Sequence, residues 1–202
     1  VWEHDEKFGS WGTPLIIKHD GKELLLLGTQ PNLKGLDPKT GNELWQCGGH
    51  NKFVYASPLY GNGVVVAMTG YGGQAFAVKL GGTGDITPDR LWLHPKATQR
   101  VGSGMVIGDH AYIVEESGVP HCYELTTGEE VWQVKKRPNG GKTWGSMVHA
   151  NNRLYVLMKN GSTLVFAASP NYELLATNTL GRGAATNSTL AISNGEIFLR
   201  TF

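Results

Sequence analysis

Short apolar runs recur along the chain, each broken after a few residues by a turn of Gly, Asn or Asp. Leu15-Ile16-Ile17 leads through Asp20-Gly21 to Leu24–Leu27, and Leu59-Tyr60 leads through Asn62-Gly63 to Val64–Met68. The pattern returns at Met105-Val106-Ile107, Gly108-Asp109 and Ala111–Val114, and at Met147-Val148, Asn151-Asn152 and Leu154–Leu157. A last copy is Leu190-Ala191-Ile192, Asn194-Gly195 and Ile197–Leu199. These turn residues tolerate positive φ in tight hairpins, so each copy predicts two antiparallel strands. No segment places apolar residues at the i, i+3, i+4, i+7 spacing of a helix, and the predicted class is all-β.

A small hydroxyl residue opens each hairpin: Thr13, Ser57, Ser103, Ser146 and Ser188. A second mark follows it. Gly35-Leu36-Asp37-Pro38-Lys39-Thr40-Gly41-Asn42-Glu43-Leu44-Trp45 matches Cys122-Tyr123-Glu124-Leu125-Thr126-Thr127-Gly128-Glu129-Glu130-Val131-Trp132 in its acid, its Thr-Gly and its Trp. Degenerate copies run from Ala77-Val78-Lys79 through a longer loop to Leu91-Trp92, and from Val165 to Leu175, with Asn171 for Gly and Leu175 for Trp. With Trp2 as the tail of a preceding copy, the marks fall at 2, 45, 92, 132 and 175, at intervals of 43, 47, 40 and 43 residues.

Each repeat therefore reads as three strands, a Thr-Gly turn and a fourth strand opened by Trp. Four strands in about 43 residues is the size of one β-propeller blade. The expected architecture is a partial ring of about four to five blades. The blades run roughly over 8–50, 51–97, 98–140 and 141–182, with a partial blade at 183–202. An open arc would expose strand edges, so the remaining blades of the same propeller are expected partners of this stretch.

Composition narrows the function classes. The 28 glycines in 202 residues fit many tight turns, and 6 Trp, 7 Tyr and 6 Phe are enough to build a core. A net charge of +1 gives no reason to expect nucleic acid or an acidic membrane surface. No apolar run approaches the roughly 20 residues of a membrane-crossing helix, and the first residues show neither the basic start nor the apolar core of a signal peptide. Two cysteines 75 positions apart define neither a disulfide framework nor a zinc site. Seven histidines without metal-ligand spacing are expected at the surface or in turns, and the Gly81-Gly82-Thr83-Gly84 stretch is expected to be loop.

One bulky planar residue per blade is an efficient wedge between sheets, because Trp combines a large apolar area with one N–H for a backbone carbonyl. Trp45, Trp92 and Trp132 are read that way, with Gly41 and Gly128 supplying left-handed turns and Asp37, Glu124, Thr40 and Thr127 bonding turn amides. The segment from Leu36 to Trp45 resembles the tryptophan-docking repeat of the PQQ-like, or quinoprotein dehydrogenase-like, β-propellers. The chain departs from that pattern at Gly35 and Cys122, where the family has Ala, and at Glu124, where it has Asp. The resemblance implies a ring of seven or eight blades, usually outside the cytoplasm of bacteria. It also implies one of two functional classes: non-catalytic binding or scaffolding modules, or dehydrogenases that hold pyrroloquinoline quinone with calcium.

The quinone enzymes need a carboxylate base, a Glu/Asn/Asp calcium set and often an adjacent Cys pair. None of these can be matched residue by residue here, so no catalytic residue, metal or cofactor is expected; quinone with calcium belongs to the alternative reading of an alcohol or sugar dehydrogenase, and a second alternative is a carbohydrate- or peptide-binding propeller. Physics places a binding surface where loops enter the inner strands. Those loops carry Trp11, Lys52, Tyr55, Arg100, Trp144, Arg182 and Asn187, and a protein or glycan partner is the expected ligand of that surface.

Overall fold

The computed structural model describes residues 1–96, 101–132, 134, 136–139, 141–181 and 183–202. It is all-β: among the described residues there are eighteen strands and one 3-10 turn. The chain divides into two compact units, Val1–Gln99 with Leu125–Gly128, and Arg100–Glu124 with Glu129–Phe202.

The first unit holds two four-stranded antiparallel meanders. One is β1 (Leu15–His19), β2 (Lys22–Gly28), β3 (Asn32–Leu36) and β4 (Glu43–Gly48). The other is β5 (Leu59–Gly61), β6 (Val64–Met68), β7 (Ala75–Lys79) and, after the two-residue β8 (Gly84–Asp85), β9 (Arg90–His94). Alternation along β2 buries Leu24, Leu26 and Gly28 on one face, whereas β6 is buried throughout and correspondingly reads as an unbroken apolar run. Ile17, Leu24, Leu26, Leu33, Trp45, Phe76, Val78 and Ile86 belong to one core.

The glycine-rich connection between β7 and β9 departs from the expected loop. Gly84–Asp85 pairs parallel with Trp45 and Gln46 on the edge of the first meander. Buried Ile86 anchors it, and the Thr87 hydroxyl accepts the Gly48 N–H at 2.7 Å. The extra residues of the second repeat thus cover an edge that would otherwise be open to pairing.

The second unit contains β10 (Met105–Ile107), β11 (His110–Val114) and β12 (Pro120–Glu124); then β13 (Val148–Ala150), β14 (Arg153–Leu157), β15 (Ser162–Ala167) and β16 (Leu174–Thr179); and last the pair β17 (Ala191–Ser193) and β18 (Glu196–Phe198). Its core gathers Tyr112, Cys122, Trp132, Met147, Leu154, Val156, Leu164 and Phe166. Among the described residues the expected fourth strand after β12 is reduced to the Tyr123–Glu130 bridge and the Val131 N–H donated to Cys122 O at 2.7 Å.

The hairpin turns adopt the conformations their residues favour. Asp20-Gly21, Asn62-Gly63, Asn151-Asn152 and Asn194-Gly195 all have positive φ at both central positions. All three four-stranded meanders among the described residues carry a register shift at the same place in the third strand, at Gly35/Leu36, Ala77/Val78 and Val165/Phe166. Beside it, Gly35 pairs with Trp45, Ala77 with Trp92, and Val165 with Ala176. The residue equivalent to Trp in the fourth repeat is therefore Ala176, not Leu175. The connection from Phe166 to Leu174 is one residue longer than that from Leu36 to Glu43, and it turns Leu175 outward, 43% exposed.

Successive repeats are tied at the hydroxyl mark. The Thr13 N–H donates to Ser57 Oγ at 3.0 Å, the Ser103 N–H to Ser146 Oγ at 3.0 Å, and the Ser146 N–H to Thr189 Oγ1 at 2.8 Å. Thr189 rather than Ser188 occupies this position in the last repeat. The residue just before the mark must be small, because the next repeat passes over it: a Cβ at Gly102 would lie 2.1 Å from Gly145 O, and one at Gly145 would lie 2.7 Å from Ser188 O.

Candidate binding surface

Two groups of residues singled out in the sequence fall in different places. The first is the Trp and turn set. In the first unit, Trp92 Nε1 donates to Leu125 O at 2.9 Å, and its ring lies against Gly128, where a Cβ would meet it at 2.6 Å. Trp2 stands in the same relation to an earlier turn, donating to Pro38 O at 3.0 Å with its ring over Gly41. In the second unit, Trp132 Nε1 donates to Ser169 O at 3.1 Å, and Tyr172 meets the indole edge-on at 5.4 Å where the other turns place glycine. Trp45 is buried across Gly35, whose Cβ would come within 2.2 Å of the indole.

The turn itself is held by its own side chains. Asp37 Oδ1 accepts the Lys39 N–H at 2.8 Å, and Thr40 Oγ1 accepts the Asn42 N–H at 3.3 Å. Gly41, at φ 77°, donates its N–H to Asp37 O at 2.8 Å. In the later turn the Glu124 N–H donates to Glu129 O, Gly128 has φ 73°, and Thr127 lies exposed.

The second group is the loop surface, and the structure brings part of it together. In the first unit, Trp11 and Tyr55 meet with ring centroids 5.0 Å apart, and exposed Lys52 lies in the same segment as Tyr55. Two aromatics that the sequence reading missed complete the cluster. Phe53 lies 6.0 Å from Tyr55 with its ring plane only 11° away, and 6.3 Å from Trp11 at 30°. Tyr71 stands edge-on to both, at 5.4 Å from Phe53 and 5.5 Å from Tyr55. Trp11 is 64% exposed, Tyr71 53% and Phe53 43%, so the rings contact one another and solvent together. Burial and the neighbouring Tyr71 push the Tyr55 phenol up from its ordinary value.

Backbone strain marks the same residues. Among the described residues with positive φ other than glycine, Asp20, Asn62, Asn151, Asn152 and Asn194 are residue types that favour turns; the others are Phe53 at 67° and Tyr71 at 48°. A residue bearing a Cβ adopts this region at a cost of about 1–2 kcal/mol, and for a bulky residue it is an outlier. Hydrogen bonds hold the strained segments in place: the Gly70 N–H donates to Phe53 O at 2.9 Å, and the Trp11 N–H donates to Val54 O at 2.9 Å. No periodic signal announces such residues, and the glycine run around Tyr71 was the only available hint.

His50, just before this segment, corrects the expectation of surface histidines. Its ring is buried against Phe76, and its Nδ1 lies 2.7 Å from Thr29 O, so the neutral ring donates from Nδ1. Burial pushes its pKa down to about 4, against the raising effect of the backbone bond. His50 Nε2 and Asn51 Oδ1 are buried without a partner.

The remaining predicted surface residues are Arg100, Trp144, Arg182 and Asn187. Arg100 and Arg182 lie outside the described residues. In the second unit Trp144 is already engaged, with its Nε1 donating to Glu116 Oε1 at 2.9 Å and Lys159 Nζ 3.2 Å above its ring. Asn187 is exposed in the same unit.

No three His, Cys, Asp or Glu side chains among the described residues come together as metal ligands. Cys47 and Cys122 are buried, free and in different sheets, and burial pushes their thiols up to about 11 and about 12. Among the described residues no helix is long and apolar enough to cross a membrane.

The family model described as outer membrane protein assembly factor BamB matches residues 1–134. No curated protein matches the sequence. Among solved structures, BamB from Moraxella catarrhalis superposes with a TM-score of 0.67 at 17% identity, covering 89% of this chain and 52% of that one. The computationally designed Ika8 protein gives 0.67 at 13%, with 90% and 53% covered. The quinohemoprotein alcohol dehydrogenase ADHIIG from Pseudomonas putida HK5 gives 0.66 at 17%, with 97% and 39% covered. At these identities the likeness shows the fold, a partial β-propeller, and the chain spans about half or less of the length of these three structures.

Proposed function

The chain belongs to the PQQ-like β-propeller family described as outer membrane protein assembly factor BamB, and from that premise we propose that it is a non-catalytic binding or scaffolding module acting outside the cytoplasm. The observation that carries this reading is the aromatic cluster of Trp11, Phe53, Tyr55 and Tyr71, in which Trp11, Phe53 and Tyr71 are exposed and Tyr55 is half-buried. Aromatic side chains that stay solvated in strained loops contribute little to the core, and aromatics are enriched where proteins recognise other molecules.

In this reading Trp45, Trp92 and Trp132, with the turns at Asp37–Gly41 and Glu124–Gly128, do structural work by joining repeats. Recognition falls to Trp11, Lys52 and Tyr55 with Phe53 and Tyr71. The module takes no cofactor from these blades. The family description, which names an outer membrane assembly factor, supports the placement outside the cytoplasm.

The test is site-specific photo-crosslinking in native cells that make the full-length protein. A crosslinking residue in place of Phe53 or Tyr71 is expected to give a discrete adduct, and one in place of exposed Leu175 is expected to give none. Absence of an adduct from both aromatic positions overturns the binding reading. Reduction of a dye by an alcohol or sugar, dependent on added quinone and calcium, overturns the non-catalytic one.

A further inference from the structure

The aromatic cluster also constrains what it can bind. Its three segments, residues 10–13, 50–56 and 69–74, contain no carboxylate, and Lys52 is their one side chain with a fixed charge. A cation would therefore find no countercharge. Nor is there an aromatic cage for one: the ring centroids stand 5.0–6.3 Å apart, which is ring-to-ring contact and leaves no space for a cation between them.

An added peptide strand is disfavoured for a different reason. It would need unpaired backbone along an edge, but Phe53 O already accepts the Gly70 N–H, and Val54 O accepts both the Trp11 N–H at 2.9 Å and the Ser10 hydroxyl at 3.2 Å. A helix would need a groove, which rings in mutual contact do not leave.

What remains is a broad, nearly uncharged π surface. Phe53 and Tyr55 are within 11° of parallel, Trp11 lies 30° from Phe53, and Tyr71 rises beside them almost at right angles. Tyr hydroxyls and the Lys52 amine supply hydrogen-bonding groups in the same segments. A pyranose ring has this complementary form, with an apolar C–H face that lies flat on an aromatic ring and hydroxyls around its rim. Two strained backbone positions, at Phe53 and Tyr71, place rings in this surface.

Resting on the binding reading above, we propose that the Trp11–Phe53–Tyr55–Tyr71 surface binds a neutral glycan chain by stacking successive sugar rings on its aromatic faces. The energy comes from apolar contact, so binding is insensitive to salt, unlike recognition through charge.

The experiment titrates cellohexaose, chitohexaose and xylohexaose separately into the full-length protein, read by calorimetry and Trp fluorescence. At least one is expected to bind saturably with a Kd of about 10 μM to 1 mM, unchanged between low and high salt. Trp11→Ala and Tyr71→Ala each weaken it by about tenfold or more, while Leu175→Ala leaves it unchanged. Tyr71→Phe, which keeps the ring, retains most of the affinity, and circular dichroism melting checks that each variant folds. The proposal is overturned if none of the three binds at about 10 mM, if binding survives both alanine variants, or if it collapses with salt. An adduct at Phe53 or Tyr71 to a protein, with all three glycans silent, overturns the glycan while leaving the binding module standing.

Discussion

The backbone N–H of Ser103 donates to the hydroxyl of Ser146, 3.0 Å away and 43 residues later in the chain. Ser146 in turn donates its own N–H to Thr189 Oγ1, again 43 residues on. The Ser146 hydroxyl thus accepts from the repeat before it, while its backbone N–H donates to the hydroxyl of the repeat after it. This is why the mark recurs as Ser or Thr and never as Ala. Ser146→Ala is expected to lower stability by about 1 kcal/mol, because the Ser103 N–H loses its acceptor while the methylene stays. Ser146→Thr keeps an oxygen at the site and should cost less. Urea unfolding checks both, and an unchanged midpoint in Ser146→Ala would show that water replaces the hydroxyl at no cost.

Trp132 combines three contacts: its Nε1–H on Ser169 O, its ring against Tyr112 at 5.3 Å, and the edge of Tyr172 at 5.4 Å. It is 1% exposed. Trp132→Ala is expected to destabilise the chain by about 3–5 kcal/mol, the range for removing a large aromatic from a core. Trp132→Phe keeps much of the apolar area and leaves Ser169 O without its donor, so about 1–3 kcal/mol is expected. Urea unfolding of the two variants separates packing from hydrogen bonding. A loss below about 1 kcal/mol for Trp132→Ala would remove Trp132 from the role of wedge.

The period was legible because each repeat must solve the same problem of turn, hairpin and contact with its neighbour. Asn-Gly and Asp-Gly turns, the hydroxyl mark and the Trp all leave similar residue types at intervals near 43 residues. Register in the fourth repeat was misread because its turn has one residue more, which a count from Val165 cannot detect without the strand pairing that sets Val165 against Ala176. The edge pairing of Gly84–Asp85 was hidden for a related reason: two glycine-flanked residues carry no strand periodicity, and the anchor is a single Ile86. The candidate surface was half legible. Trp11, Lys52 and Tyr55 stand in loops ahead of inner strands, where position suggests function, whereas Phe53 and Tyr71 join them through positive φ values that no sequence pattern announces.

Buried His50 gives the chain a pH dependence whose sign follows from its depressed pKa. In the folded protein the ring stays neutral down to about pH 4, held by burial, whereas in the unfolded chain it has its ordinary value of 6.5. Above 6.5 neither state binds the proton, and the full stability is present. As pH falls from 6.5 toward 4, the unfolded chain takes up a proton that the folded chain refuses, and stability drops by about 3 kcal/mol in all. Below about 4 both states are protonated, and this contribution falls no further. Carboxylates titrate near the lower end of the window, so the comparison that isolates His50 is the wild type against His50→Gln, whose amide can still donate to Thr29 O and does not titrate. The stability difference between the two is expected to shrink steadily from pH 7 to 4.5, and the His50 ring signals in NMR should remain those of the neutral form over that range. A difference that stays constant with pH, or a ring that titrates near 6.5, would show that the imidazole is solvated in the folded state.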